Sequence, residues 1–185
     1  MNLKNDMRRA LAELGGVADG IDPAQIDTAC RMITDAAHIM LYGCGREGLQ
    51  LQGFAMRLHH LGKSVSMQGD MAAPPMKAGD LFIVSAGPGS LSTVSALVDQ
   101  AKAGGASVLF LTGQPQTKTA KLADHTILIP AQTMANDQGK GSSRLPMGSL
   151  YEGALFVLFE AMILRLVPVL GETSESIRAR HTNME

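Results

Sequence analysis

The chain has 185 residues, of which 45% are hydrophobic and 18% are charged, a balance typical of a globular domain with a buried core rather than of a disordered chain. Its 16 basic and 17 acidic residues form no basic block, which argues against nucleic-acid binding and against binding to an anionic membrane surface. No apolar run reaches the length of a transmembrane helix, and the N-terminus predicts an amphipathic helix rather than a signal sequence. Cys30 and Cys44 lack metal-ligand spacing, so we expect reduced thiols in a cytoplasmic protein.

Strand and helix patterns alternate along the chain after N-terminal helices within residues 1–36. Apolar runs predict strands at 38–43, 64–68, 80–87, 107–113 and 125–131, and the segments between and after them predict helices at 46–61, 92–105, 119–124 and 147–166. A loop over 133–146 leads to the last helix. Buried strands that alternate with helices predict an α/β fold: a three-layer α/β/α sandwich with a five-stranded parallel sheet. We expect a single domain over 1–185, with 147–185 forming a long helix and a C-terminal tail.

The first glycine-rich loop is GCGREG, residues 43–48, between the first strand and its helix. Its G-x-G-x-x-G spacing brings backbone N–H groups and a helix N-terminus towards an anion. Asp70 follows the second strand, where a dinucleotide-binding sheet holds a ribose, so a nicotinamide or flavin site is one interpretation. A tight turn without a ligand is another. The motif alone is a weak signal, and the chain leaves little room for a separate substrate domain.

The second loop is SAGPGSLST, residues 85–93, at the end of the third strand. Small residues allow a ligand to approach the backbone closely, and hydroxyl groups crowd a helix start. One of Ser90 and Ser92 is expected to be only a helix N-cap. Ligands of doubly wound sheets bind beyond the carboxyl ends of the strands, so the two loops together predict one anion site.

Three polar positions on the helices carry alternatives. His59 and His60 are adjacent, so they point about 100° apart on a helix and lack the spacing of a zinc site. His181 lies in the tail segment RHTNME. Ser149 and Glu152 fit a capping box, which competes with a catalytic role for the carboxylate.

The chain resembles the single-domain sugar isomerase (SIS) proteins, and among them most closely the 6-phospho-3-hexuloisomerase family. The resemblance is carried by FAMRLHHLG (54–62), by LPMGSLYEGALFVLFEAMILRL (145–166) and by RHTNME (180–185). It implies a flavodoxin-like SIS fold, a homotetramer or dimer, and neither metal nor organic cofactor. It also implies reversible conversion of a 3-ketohexose 6-phosphate to fructose 6-phosphate through an enediol(ate).

The same resemblance assigns roles to individual residues. Glu152 is the candidate base, His60 the candidate for acid–base or hydroxyl-handling duty, and His181 a third candidate, because the family's tail approaches a neighbouring subunit. A carboxylate in a partly dry pocket has a raised pKa and suits proton transfer near neutral pH. The candidate substrate- and phosphate-binding residues are Gly45, Arg46, Glu47, Arg57, Asp70, Ser85, Gly87, Ser90, Ser92 and Thr93.

The sequence departs from the family at the expected substrate end. Glu47 stands where the family's Gly-Arg-Ser-Gly loop has serine, and a carboxylate there repels phosphate unless Arg46 offsets it. Gly87 stands at an expected serine, and Met71 at an expected threonine. We therefore predict an isomerase with altered substrate choice, whose substrate is a differently phosphorylated sugar, a sugar with another anionic tail, or an unphosphorylated sugar. The alternatives are a non-catalytic sugar-phosphate-binding domain and, less favoured, a nucleotide-cofactor-binding Rossmann protein.

Overall fold

The computed structural model describes residues 2–138 and 143–184. The helices are α1 (Leu3–Asp19), α2 (Pro23–Asp35), α3 (Gly45–His60), α4 (Ser92–Ala103), α5 (Lys118–Leu122), α6 (Ser149–Val169) and α7 (Ser174–Ala179). The strands are β1 (Ile39–Gly43), β2 (Val65–Met67), β3 (Leu81–Ser85), β4 (Ser107–Thr112) and β5 (His125–Leu128). Every predicted strand and helix is present, with ends shifted by a few residues, while α7 lies in the segment predicted only as a tail. The predicted loop over 133–146 includes residues 139–142, which lie outside the described residues.

The five strands form one sheet in the order β2-β1-β3-β4-β5, and each neighbouring pair is parallel. The predicted α/β/α sandwich with a five-stranded parallel sheet is confirmed. This is the flavodoxin-like order rather than the order of a dinucleotide-binding sheet. β1 and β3 lie side by side, but the chain leaves them in opposite directions. The loops after these two strands therefore part at the switch point of the sheet, where ligands of such folds bind.

The core has two parts because successive side chains of a strand point to opposite faces of the sheet. One face carries Ile39, Leu41, Ile83 and Leu109, which pack against α1, α2, α3 and α6. The other carries Phe82, Val84, Val108 and Phe110, which pack against α4 and α5. Helices therefore cover both faces of the sheet, so functional side chains are expected at its edges.

Helices α3 and α6 run side by side in the same direction. Phe54 of α3 stacks on Phe159 of α6 with ring centroids 4.2 Å apart, and one turn further along Arg57 pairs with Glu160 at 3.0 Å. The N-termini of the two helices therefore meet at the carboxyl edge of the sheet, and their C-terminal halves meet at the opposite edge. Although α6 is strongly apolar, no helix within the described residues is long and apolar enough to cross a membrane.

Candidate active site

Glu47, in the first turn of α3, is buried where the loops after β1 and β3 part. Its carboxylate accepts a hydrogen bond from the Ser85 hydroxyl at 2.5 Å, and the Gly87 N–H lies 3.0 Å from each carboxylate oxygen. The Tyr151 hydroxyl of α6 lies 3.1 Å from the Ser85 Oγ. A side chain at Gly87 would press on the Tyr151 ring and on Glu47, because a Cβ there would lie 3.0 Å and 3.1 Å from them. Because residue 87 is glycine, the Glu47 carboxylate can come within hydrogen-bond distance of its backbone N–H.

The environment of Glu47 favours its neutral form more than water does. Burial raises its pKa, the hydrogen bonds from Ser85 and Gly87 oppose that rise, and the nearby Glu152 carboxylate adds to it. Burial, followed by the charge of Glu47, raises the pKa of Tyr151 well above its usual range. The phenol therefore stays protonated and serves as a hydrogen-bond donor.

Glu152, in the first turn of α6, forms the second half of this site. Its carboxylate pairs with the Arg46 guanidinium at 2.9 Å, and 16% of the Glu152 side chain is exposed against 52% of the Arg46 side chain. Arg46 also donates to the Ser149 Oγ and to the Met147 carbonyl, each at 3.0 Å. Burial raises the pKa of Glu152, and the charge and hydrogen bond of Arg46 only partly oppose that rise. The structure thus holds a carboxyl group with a raised pKa at the mouth of a cleft.

The predicted capping box at the start of α6 is wrong. The helix N-cap is Gly148 with φ of +80°, no side chain caps it, and Ser149 is already the first helical residue. Gly148 adopts a left-handed conformation that is costly for residues with a Cβ. The N-cap therefore falls on this glycine, one residue before the predicted N-cap at Ser149. The Glu152 side chain is consequently available to Arg46.

A cleft of about 450 Å³ opens between these groups at the carboxyl edge of the sheet. This volume lies within the range of small-molecule sites. The described residues that line it come from the loops after β1 and β3, the segment between β5 and α6, and the first turn of α6: Cys44, Gly45, Arg46, Glu47, Pro88, Leu91, Met134, Pro146, Met147, Ser149 and Glu152. The cleft therefore brings Gly45, Arg46, Glu47 and Glu152 together, with Ser85 and Gly87 directly behind Glu47.

The remaining loop candidates lie further from these groups. Ser90, Ser92 and Thr93 are exposed at the start of α4. The N-cap of α4 is Leu91, and no side chain caps it, so the prediction that Ser90 or Ser92 caps this helix is wrong. Asp70 accepts a hydrogen bond from the Met67 N–H at 2.8 Å and closes the turn after the edge strand β2.

His60 and His181 lie at the opposite end of the molecule from Glu152. His60 is buried at the C-terminus of α3, thirteen residues after Glu47, which is a rise of about 20 Å along the helix. Its ring stacks on that of His181 with centroids 5.2 Å apart, and Arg180 donates to the His60 carbonyl at 2.9 Å. Arg57, paired with Glu160, also lies in this half. Within one chain, these three candidates are therefore separated from the cleft.

Tyr151 and Ser149 are contacts that sequence reasoning missed. Tyr151 precedes Glu152 in PMGSLYE, but its contact with Ser85 depends on how α6 sits on the sheet, which no local pattern encodes. Within residues 2–138 and 143–184, no group of three His, Cys, Asp or Glu side chains is placed to hold a metal ion.

Comparison with known proteins places this geometry in a family context. The SIS domain model matches residues 32–157. A 3-hexulose-6-phosphate isomerase from Mycobacterium gastri is 35% identical over 184 residues, covering 100% of this chain and 92% of that protein. One from Methylomonas aminofaciens is 36% identical over 172 residues, covering 93% of this chain and 92% of that one. A crystal structure from Methanococcus jannaschii, described as inferring the molecular function of 3-hexulose-6-phosphate isomerase, matches with a TM-score of 0.84 at 23% identity, covering 98% of this chain and 99% of that one.

Proposed function

The chain belongs to the SIS-domain family, and from that premise we propose that it is a sugar-phosphate isomerase that interconverts 3-hexulose 6-phosphate and fructose 6-phosphate. The observation that carries this proposal is the Glu152 carboxyl group, which faces the cleft with a pKa raised by burial. Relatives of this activity match the chain over nearly its full length and theirs. A non-catalytic binding domain needs no proton acceptor, so a carboxyl group with a raised pKa at the cleft supports the enzyme.

The reaction moves a carbonyl group by one carbon. A base removes the proton from C2 of the 3-ketose, and the C3 carbonyl becomes an enediolate oxygen. A proton is then delivered to C3, and the proton of the C2 hydroxyl moves to the oxygen on C3 as C2 becomes the new carbonyl. Glu152 takes the first proton and returns it, because a carboxylate with a raised pKa is a stronger base than an ordinary one. Arg46, 2.9 Å from that carboxylate, holds it in position at the cleft.

His60 and His181 enter this proposal through a neighbouring copy. In their own chain, His60 lies about 20 Å further along α3 than Glu47, and His181 stacks on it, so both reach a cleft only across an interface. Support for such an interface comes from large apolar side chains left exposed on α3 and α6, among them Leu49, Met56, Phe156 and Leu164. We place the protein in the cytoplasm as a homotetramer in which each cleft takes its imidazole groups from a neighbour, with neither metal nor organic cofactor.

The direct test is to supply 3-hexulose 6-phosphate to the purified protein and to measure fructose 6-phosphate with a coupled enzymatic assay. We expect turnover that saturates with substrate and runs in both directions. A protein that binds sugar phosphates, raising its melting temperature, but converts none of a panel of ketohexose phosphates would overturn the proposed function in favour of a binding domain.

A further inference from the structure

The Gly87 N–H and the Ser85 hydroxyl form an anion-binding position, called here the anion cradle. Both donors lie at the end of β3, at the switch point of the sheet, where a backbone N–H and a hydroxyl converge on one acceptor. An oxyanion of a ligand would satisfy them well. In this chain the acceptor is the chain's own Glu47 carboxylate, and 8% of that residue is exposed.

Among the described residues, no cationic side chain of the cleft forms an ion pair with Glu47. Among the described residues that line the cleft, Arg46 is the cationic side chain, and its hydrogen bonds go to Glu152, Ser149 and the Met147 carbonyl. Two carboxylates therefore face one guanidinium. A phosphate dianion that approaches the anion cradle meets a like charge at short range in a partly dry site, where repulsion is stronger than in water.

A neutral sugar meets the opposite situation. A carboxylate is an acceptor, and the hydroxyl groups of an unphosphorylated sugar can donate to its free lone pairs. Charge-assisted hydrogen bonds of this kind are stronger than those between neutral groups. The cleft surface at Glu47 thus matches a hydroxylated end of a ligand better than a phosphorylated one.

We propose that Glu47 is a specificity-determining residue that competes with the substrate's phosphate for the anion cradle, so that this isomerase turns over an unphosphorylated 3-ketohexose nearly as well as its 6-phosphate. The inference rests on the proposed isomerase function and narrows its substrate class. Glu47 acts here through selection between substrates, while Glu152 transfers the proton for both.

The test compares kcat/KM for 3-ketohexose 6-phosphate with kcat/KM for the unphosphorylated 3-ketohexose. In the wild-type protein the two values should differ by less than tenfold. In the Glu47→Ser variant, the shorter neutral side chain vacates the anion cradle, and the preference for the phosphate should rise at least tenfold. Asp99→Asn removes a carboxylate from the exposed face of α4 and should leave the ratio unchanged.

A binding measurement tests the same competition without turnover. Inorganic phosphate at millimolar concentration should raise the melting temperature of the Glu47→Ser variant and leave that of the wild-type protein and of Asp99→Asn unchanged. An equal shift in the wild-type protein would mean that phosphate displaces Glu47 freely, and this would overturn the inference.

The outcomes separate this inference from the proposed function. A wild-type protein that strongly prefers the phosphate, with the same preference in Glu47→Ser, would overturn the inference and leave the isomerase activity standing. Equal loss on both substrates in Glu47→Ser and Glu47→Gln, at unchanged melting temperature, would also overturn it by making Glu47 part of proton transfer. If the wild-type protein turned over neither substrate, the proposed function would fail. The phosphate-binding measurement would then decide whether Glu47 competes with phosphate for the anion cradle.

Discussion

The two ends of the α3–α6 helix pair carry different chemistry although both hold a carboxylate next to an arginine. At the carboxyl edge of the sheet, burial outweighs the Arg46 charge and raises the pKa of Glu152. At the opposite edge, hydrogen bonds from Arg180 and Ser176 outweigh burial and lower the pKa of Glu172. A glutamate paired with an arginine therefore has a raised pKa at one end and a lowered pKa at the other. The two side chains are similarly buried, with 16% of the Glu152 side chain and 11% of the Glu172 side chain exposed, so the additional hydrogen bond from Ser176 separates them.

The largest effect that this comparison predicts is on turnover in Glu152→Gln. The amide keeps the size of the side chain but cannot accept a proton, so kcat should fall by about a thousandfold, within the usual range for loss of a general base. The measurement is steady-state turnover of 3-hexulose 6-phosphate, with the melting temperature as a check on folding.

Glu160→Gln is the matched control on the same helix. It removes a carboxylate that pairs with Arg57 two turns away from the cleft, and a partly exposed pair of this kind contributes little to stability. Turnover within about twofold of wild type is expected. A comparable loss in both variants would mean that charge on α6, and not proton transfer by Glu152, supports activity.

The next effect is on the contact that holds the two ends in register. Phe159 is buried and stacks on Phe54 with an interplanar angle of 5°. Phe159→Ala should lower the free energy of unfolding by about 3 kcal/mol, since it removes a packed ring and leaves a cavity. Urea denaturation measures this value. A loss below about 1 kcal/mol would show that the helices pack independently of this stack.

The imidazole end gives the third prediction. If His60 serves the cleft of a neighbouring copy, His60→Gln should lower kcat by about a hundredfold, as loss of a transition-state donor does. Mixing subunits that carry His60→Gln with subunits that carry Glu152→Gln should then restore activity at about a quarter of the sites. Activity that stays absent after verified subunit exchange would place each site within one chain.

Arg46 provides the smallest and most specific effect. Arg46 holds the pKa of Glu152 down, so Arg46→Gln should raise that pKa further and move the acid limb of the kcat/KM profile to higher pH. The loss of kcat/KM at neutral pH should be only several-fold, about 1 kcal/mol. An acid limb that stays in place would show that another group controls it.

Ionisation of Glu152 also changes the stability of the protein with pH in a defined direction. The folded-state pKa of Glu152 is raised above the ordinary glutamate value of about 4.3, so its contribution to stability is full below that pH and is lost as the pH rises through the folded-state pKa. Arg46→Gln should deepen this loss. Denaturation midpoints measured from acid to neutral pH check the direction.

The fold could be read from the sequence because its signals are local. The buried runs such as LFIVS and SVLFLT became β3 and β4, and Gly104 ends α4 as predicted. The place of Arg46 and Glu47 at the carboxyl edge followed from the general position of ligands in doubly wound sheets, while that of Glu152 followed from the family resemblance. These features depend on the hydrophobic pattern of each strand and helix and on the order of the strands, and many segments of the chain carry the same pattern.

The details of the site could not be read in this way. The hydrogen bond from the Gly87 N–H to Glu47 depends on the register of β1 and β3, which places Gly43 beside Ser85. The ion pair between Glu152 and Arg46 depends on Gly148, because this left-handed glycine is the N-cap of α6 in place of the predicted Ser149. These are contacts between segments far apart in sequence, and a shift of one residue decides each of them.

The central claim is that Glu152 moves a proton between two carbons of a ketohexose, and solvent exchange tests it most directly. Fructose 6-phosphate incubated with the protein in deuterated water should acquire deuterium at C3, detected by proton NMR, and the exchange should be lost in Glu152→Gln but kept in Glu160→Gln. Conversion of substrate without deuterium incorporation, or exchange that persists in Glu152→Gln, would contradict the account.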